Sequence, residues 1–226
     1  MQASTLLTNI GYALDDPTNQ KWTPAQLLTY INEASVDIAR RAEVLLTTSF
    51  IKVLSMCRDY IAPQDVIRIY KVEFQPYNNS LQIWPLEYRG IIEMDAVWGI
   101  NQFTPSAWPN VWTTWQNPPQ VLIRLYPMPS QPGTLNVYYY RLPVPVQAAT
   151  DLIDTPSGWE DMITEYAVFM ALQQDADPRW QERKTQYEAK MGEMIDKTRK
   201  PVDAPGNIST GFNPYPYYQG FGDGGW

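Results

Sequence analysis

The chain has 226 residues, 44% of them hydrophobic, with 17 lysines and arginines against 24 aspartates and glutamates, giving a net charge of −7 and a pI near 4.6. That balance excludes a protein that grips nucleic acid over its whole surface, because phosphate neutralisation needs clustered Lys and Arg. Histidine is absent, which excludes Ser-His-Asp triads, Cys-His pairs, His-liganded zinc and imidazole acid–base work, and leaves lysine- or carboxylate-based enzymes open.

From Ala3 to Leu14 the residues Leu6, Leu7, Ile10 and Leu14 recur at helical spacing, and Asp15-Asp16-Pro17 ends the pattern. Thr23-Pro24-Ala25-Gln26 then offers a cap, a proline suited to the first helical position and a glutamine able to close a capping box. Behind it Leu27, Leu28, Ile31, Ala34, Ile38, Ala42 and Leu45 form one stripe, so a helix is predicted over Pro24 to Leu45. Cys57 is the single cysteine and excludes an intrachain disulfide. With no imidazole to activate it, it reads as a small buried hydrophobe before a reactive thiol.

Strand character follows over Phe50–Met56, Val66–Phe74, Leu81–Trp84, Ile91–Val97, Val121–Tyr126 and Thr134–Arg141, which are rich in β-branched and aromatic residues and separated by Pro, Asn and Gly. These predict an antiparallel sheet. The apolar positions Ile67 and Ile69 shift phase to Tyr70, Val72 and Phe74, the mark of a bulge. In the last strand Leu135, Val137 and Tyr139 alternate with Asn136, Tyr138 and Tyr140, so both faces carry bulky groups.

Pro143 and Pro145 end the sheet, and Ser157-Gly158-Trp159-Glu160 opens a helix through Trp159, Met162, Ile163, Tyr166, Phe169, Met170 and Gln173. Asp177-Pro178 starts another, with Trp180, Tyr187, Met191, Met194 and Ile195 on its buried stripe. The expected fold class is α+β: an antiparallel helical bundle of two N-terminal and two C-terminal helices, with an inserted antiparallel β region projecting from it and an extended C-terminal arm. The expected units are 1–47, the β region 48–146 with a Trp-rich loop at 98–120, 147–200, and the arm 201–226. No apolar run reaches the length of a membrane span, and the charge-free segment Asn101 to Ile123 is broken by Pro105, Pro109, Pro118 and Pro119, so a soluble protein is expected.

Four constellations could carry function. Glu93 and Asp95, two apart on a predicted strand with Glu87 nearby, could serve carbohydrate chemistry as paired carboxylates, or simply lie on a solvated strand face. Trp98, Trp108, Trp112 and Trp115 could stack on sugars, rim a binding site, bury against a neighbouring subunit or fill the underside of a long loop. Asp151, Asp154, Glu160, Asp161, Glu165, Asp175 and Asp177 accumulate where no basic residue intervenes, which suits a basic partner or a passage through which DNA slides without sticking. The last helix is the most basic element, through Arg179, Arg183, Lys184, Lys190, Lys197, Arg199 and Lys200, either to complement its dipole or to dock an acidic neighbour.

Residues 201–226 hold half of the chain's 12 glycines and the aromatics Phe212, Tyr215, Tyr217, Tyr218, Phe221 and Trp226, with no Lys or Arg. Glycine and proline at this density forbid a regular helix or central strand, and a solvated linker has no use for those rings. The six aromatics are therefore taken as candidate contacts to another chain.

In this order the elements resemble the head-to-tail adaptor (connector) proteins of tailed bacteriophages, over about residues 20 to 200, and especially the first adaptor ring below the portal in short-tailed phages. Trp22-Thr23-Pro24-Ala25-Gln26-Leu27-Leu28-Thr29-Tyr30-Ile31-Asn32-Glu33 is similar to the opening of that family's long helix. Val121 to Pro129 followed by Leu135 to Tyr139 is similar to its strand, P-x-P turn, strand hairpin, and Leu152-Ile153-Asp154-Thr155-Pro156 to the entry of its penultimate helix. The resemblance implies a structural, non-enzymatic virion protein of the neck, assembled in the host cytoplasm without cofactor, metal or catalytic residues. It implies a homo-oligomeric ring of twelve copies, bound to the portal protein on one side and to a tail hub or nozzle protein on the other, with DNA passing through without specific binding and no membrane contact. On that reading Phe212, Tyr215, Tyr217, Tyr218, Phe221 and Trp226 are candidate contacts to the portal or a neighbouring subunit, and Trp108, Trp112 and Trp115 to the tail side or a neighbouring subunit. The alternative from the residues alone is a carbohydrate-active enzyme or sugar-binding module of a phage tail.

Overall fold

The computed structural model describes residues 1–77, 82–98, 105–106, 108–117, 120–156 and 158–199. Its helices are α1 (Ala3–Ala13), α2 (Pro24–Ala42), α3 (Ile91–Trp98), α4 (Glu160–Gln174) and α5 (Trp180–Arg199). Its strands are β1 (Leu46–Val53), β2 (Asp59–Ile61), β3 (Val66–Pro76), β4 (Trp84–Tyr88), β5 (Pro105–Ser106), β6 (Val111–Asn117), β7 (Gln120–Tyr126), β8 (Met128–Pro129) and β9 (Gly133–Arg141).

Local chemistry sets the helix ends. Thr23 Oγ1 accepts from the Gln26 N–H while the Gln26 side chain accepts from the Thr23 N–H at 3.1 Å, closing the capping box of α2. Between α1 and α2 the Asp16 carboxylate accepts from the N–H groups of Gln20, Lys21 and Trp22 at 2.8–3.0 Å, and these bonds hold it below the usual carboxylate range. Asn32 both donates to and accepts from the backbone of Val146, at 2.9 and 2.8 Å, which pins the chain returning from the sheet onto α2.

Two main cores form, and they share no residue. Helices α1, α2, α4 and α5 bury Leu6, Ile10, Leu27, Ile31, Ile38, Ile163, Val168, Tyr187 and Met191 against one another. The inner face of the sheet buries Val53, Val72, Phe74, Trp112, Ile123, Leu125, Leu135 and Val137. A small third cluster, Met94 with Val111 and Tyr126, seats α3 on β6 and β7.

Seven strands make one sheet in the order β1-β9-β3-β4-β6-β7-β2, and β5 pairs with β8 separately. Every neighbour in the large sheet is antiparallel except β4 and β6, which run parallel through Glu87↔Val111 and Tyr88↔Trp112. Its two edges, β1 and β2, are joined by the short link 54–58. There the Tyr60 hydroxyl donates to the carbonyls of Leu54 and Cys57, at 3.2 and 2.6 Å, and Met56 N–H to that of Pro129 at 2.8 Å. The sheet thereby curls around its own core as a nearly closed barrel. The register shifts between Val66 and Arg68 and between Ile69 and Lys71, the second at the predicted bulge.

This overturns the expectation of a helical bundle carrying an antiparallel insert. The α+β class stands, but the sheet is a barrel-like body with its own core and a parallel strand pair, and a fifth helix packs on it. Three local expectations fall with it. Ile91–Val97 is helix, not strand. The segment read as a Trp-rich loop contains β5 and β6. The strands either side of Pro127 form no hairpin: after the cis Tyr126–Pro127 bond the chain leaves β7, which pairs with β6 and β2, and crosses to β9, which pairs with β1 and β3.

The helices and the barrel join at residues 43–45 and 141–142. Glu43, in left-handed conformation at φ 51° after α2, receives both Nε and Nη2 of Arg68 from β3. Arg141, the last residue of β9, donates through both terminal nitrogens to Asp154. Leu142 N–H closes onto the Asp65 carbonyl at 2.7 Å.

Candidate assembly surfaces

Charge is divided between the two bodies. Residues 1–45 and 142–199 carry sixteen acidic and nine basic side chains, whereas 46–141 carry six and seven, so the negative excess belongs to the helices. Much of the acidic stretch after Arg141 is used internally: Asp154 binds Arg141, Asp175 binds Lys21, Asp177 binds Arg179, and Glu165 binds both Arg183 and Lys190. The same pairs occupy most of the basic helix, where Lys197 also binds Glu193 at 2.5 Å.

On the exposed side of the helical body a groove of about 470 Å³ runs between α2 and α4, lined by Thr29, Asn32, Glu33, Val36, Asp37, Arg40 and Tyr166. Behind it lies Tyr187 of α5, 1% exposed, whose hydroxyl donates to the groove residue Asp37 at Oδ2, 2.5 Å away. Burial, with Asp37 second, pushes that phenol far above its ordinary value. Glu33 and Arg40 are exposed and have no ion-pair partner among the described residues.

On the barrel the outer face of β1, β9 and β3 is aromatic and cationic. The register sets Leu46, Tyr140 and Arg68 in one row, Thr48, Tyr138 and Lys71 in the next, and Phe50, Asn136 and Glu73 in a third. Phe50 is 71% exposed and Tyr70 59%. Arg68 lies 5.2 Å from the Tyr140 ring and Lys71 5.7 Å from that of Tyr138. In both ion pairs on this face the cation is the outer member: Arg68 is 53% exposed against 22% for Glu43, and Lys71 45% against 11% for Glu73. The sequence reading missed this face. The signal was the bulky residues on both sides of the last strand, since a strand with two such faces needs two covers.

The tryptophans separate. Trp112 is 3% exposed and belongs to the barrel core, with Tyr88 edge-on to it at 4.8 Å, so it is not an open contact. Trp108 is half-buried, stacked on Trp84 at 5.8 Å and edge-on to Phe74. Trp115 is 43% exposed, with the Arg124 guanidinium 5.0 Å from its ring. Phe212, Tyr215, Tyr217, Tyr218, Phe221 and Trp226 lie outside the described residues. A second cleft, about 410 Å³, opens where β4 leaves β3 for β6, between Val66–Tyr70 and the Tyr88, Trp112, Thr114 and Val121 side.

The carboxylates proposed for sugar chemistry are not aligned as expected, because Glu93 and Asp95 fall on a helix and the alternation of a strand is absent there. Glu87 instead pairs with Arg89 at 3.1 Å. Among the described residues no group of three or more His, Cys, Asp or Glu could hold a metal ion, and no helix is long and apolar enough to cross a membrane.

No curated protein matches the chain. A family model described as SU10 adaptor protein matches residues 1–209, spanning the helical body, the barrel and every element between them. With both bodies inside that one match, the chain belongs to the SU10 adaptor protein family and is a structural head-to-tail adaptor of a bacteriophage, a protein of the virion neck.

Proposed function

We propose that twelve copies of this chain form a ring that joins the portal to the tail hub or nozzle of a short-tailed phage and continues the channel for DNA. The observation that carries this reading is the division of an adaptor chain into two bodies with separate cores and different charge, an acidic helical body and a near-neutral barrel. A subunit built this way can hold a different neighbour with each body while Arg68–Glu43 and Arg141–Asp154 fix the joint. The negative excess suits a passage through which DNA slides without sticking. The role is structural and needs no catalytic group, cofactor or metal. The aromatics Phe212, Tyr215, Tyr217, Tyr218, Phe221 and Trp226 serve as anchors on the portal or the adjacent copy, and Trp108 and Trp115 serve on the tail side. Assembly takes place in the host cytoplasm.

The test is electron microscopy of the purified chain mixed with its portal protein. A ring coaxial with the portal is expected, with its symmetry counted from class averages. A chain that stays monomeric and unattached under all such conditions overturns the reading.

A further inference from the structure

The two faces described above are unlike each other, and their chemistry is complementary. Pairing the barrel face with a copy of itself would bring Lys52, Arg68 and Lys71 onto the same cationic patch of the partner, a like-charge contact that disfavours a two-fold dimer. The negative excess of the molecule lies instead on the helical body, where Glu33 has no ion-pair partner among the described residues.

Spacing agrees with charge. Along α2 the residues Glu33, Val36 and Arg40 fall on one side at i, i+3 and i+7, so anion and cation stand about 10 Å apart with an apolar residue between them. On the barrel, Lys52 and Phe50 lie one two-residue step apart along β1, about 7 Å, so a cation stands beside an exposed ring as Glu33 stands beside Val36.

We propose that the outer face of β1, β9 and β3 docks head to tail into the α2–α4 groove of a second copy. Phe50 enters between Val36 and Tyr166, and Lys52 meets Glu33. Because the two surfaces are different patches, the contact is heterologous and repeats from copy to copy, closing a ring when the rotation permits. The inference rests on the ring reading above and names the surfaces that would build it.

The experiment uses the full chain with Cys57→Ser as background, in the presence of the portal protein, and a short bismaleimide cross-linker. Lys52→Cys protein mixed with Glu33→Cys protein should give a cross-linked dimer, and the chain carrying both substitutions a ladder of linked copies. Each single variant alone should stay uncross-linked. Self-linking of Lys52→Cys alone would mean a face-to-face contact and overturn the proposal. Rings visible by microscopy without the mixed cross-link would overturn the interface and leave the ring reading standing, whereas failure to form any ring would remove both. As a second readout, Lys52→Glu should weaken assembly roughly tenfold and Lys52→Glu with Glu33→Lys should recover it. Weakening by the first that the second does not repair also counts against the pairing.

Discussion

Arg141 and Asp154 form a two-pronged pair in which both terminal guanidinium nitrogens donate to the two carboxylate oxygens, and the same carboxylate accepts from the Val144 N–H at 2.9 Å. The pair sits where the barrel hands the chain back to the helices, and its members are only 25% and 24% exposed. Arg141 first, and the Val144 N–H after it, hold Asp154 below its ordinary value of 3.8 against the opposing effect of burial. Asp154→Asn should therefore lower stability at neutral pH by about 1.5–3 kcal/mol, the range for hydrogen bonds to charged groups. A depressed carboxylate stabilises fully above its unfolded value and loses that contribution as pH falls through the lower folded one. Urea unfolding of the two proteins should thus differ at pH 7 and converge in strong acid, and a gap independent of pH would refute the assignment.

The α2 capping box makes a smaller, local prediction. Thr23→Ala removes the acceptor for the Gln26 N–H and the hydroxyl donor to Gln26 Oε1, and leaves only the residue-23 backbone N–H on that oxygen. The expected loss is ~1 kcal/mol, with Thr23→Ser close to neutral, as read from thermal melts.

That cap was legible in the sequence because its partners lie three residues apart, and so was the bulge at Tyr70, which shifts the apolar phase within a single strand. What was not legible depended on distant partners. Ile91, Ile92 and Val97 favour a strand by type, yet Met94 is fully buried against Val111 and Tyr126, and that packing makes the segment a helix. The prolines around β6 suggested a loop, but they flank the strand and do not interrupt it. No local signal tells β7 and β9 to part company across Pro127, since their partners come from β6 and β2 on one side and β1 and β3 on the other. The Phe50–Tyr138–Tyr140 face escaped notice for the same reason: it exists only once β1, β9 and β3 are in register.

Two glycines should respond in opposite directions to alanine. A Cβ on Gly133 would lie 2.6 Å from the Gln75 carbonyl oxygen and 2.6 Å from Phe74, where β9 meets β3, so backbone and a core ring must both shift. Gly133→Ala should cost about 1–3 kcal/mol. Gly192, inside α5, has open space around it, and Gly192→Ala should stabilise by roughly 0.5–1 kcal/mol through helix propensity. Melting curves of the two variants, one below and one above the parent, are the check.

Removing residues 212–226 tests what the C-terminal aromatics are for. The described cores are filled by residues 3 to 194, so the truncated chain should melt where the parent does while its docking to portal or neighbour weakens. A lowered melting temperature in the unassembled protein would mean that the segment belongs to the fold.

Tyr187 carries the last prediction. Its ring is 1% exposed beneath the α2–α4 groove, edge-on to Tyr166 at 5.2 Å, and its hydroxyl donates to Asp37. Burial and the neighbouring carboxylate both disfavour the phenolate, whereas the unfolded chain ionises at its ordinary value of 10.0. A group with a raised folded value stabilises fully below its unfolded value and loses that contribution as pH climbs above it. Alkaline titration followed by tyrosinate absorbance should leave Tyr187 silent until the helical body unfolds, and then release it with the circular-dichroism change. Tyr187→Phe should flatten the alkaline loss of stability while costing about 1 kcal/mol at neutral pH, because Asp37 keeps Arg41 as a partner but loses a buried donor. A hydroxyl that titrates smoothly in the folded protein would contradict the buried Tyr187–Asp37 contact.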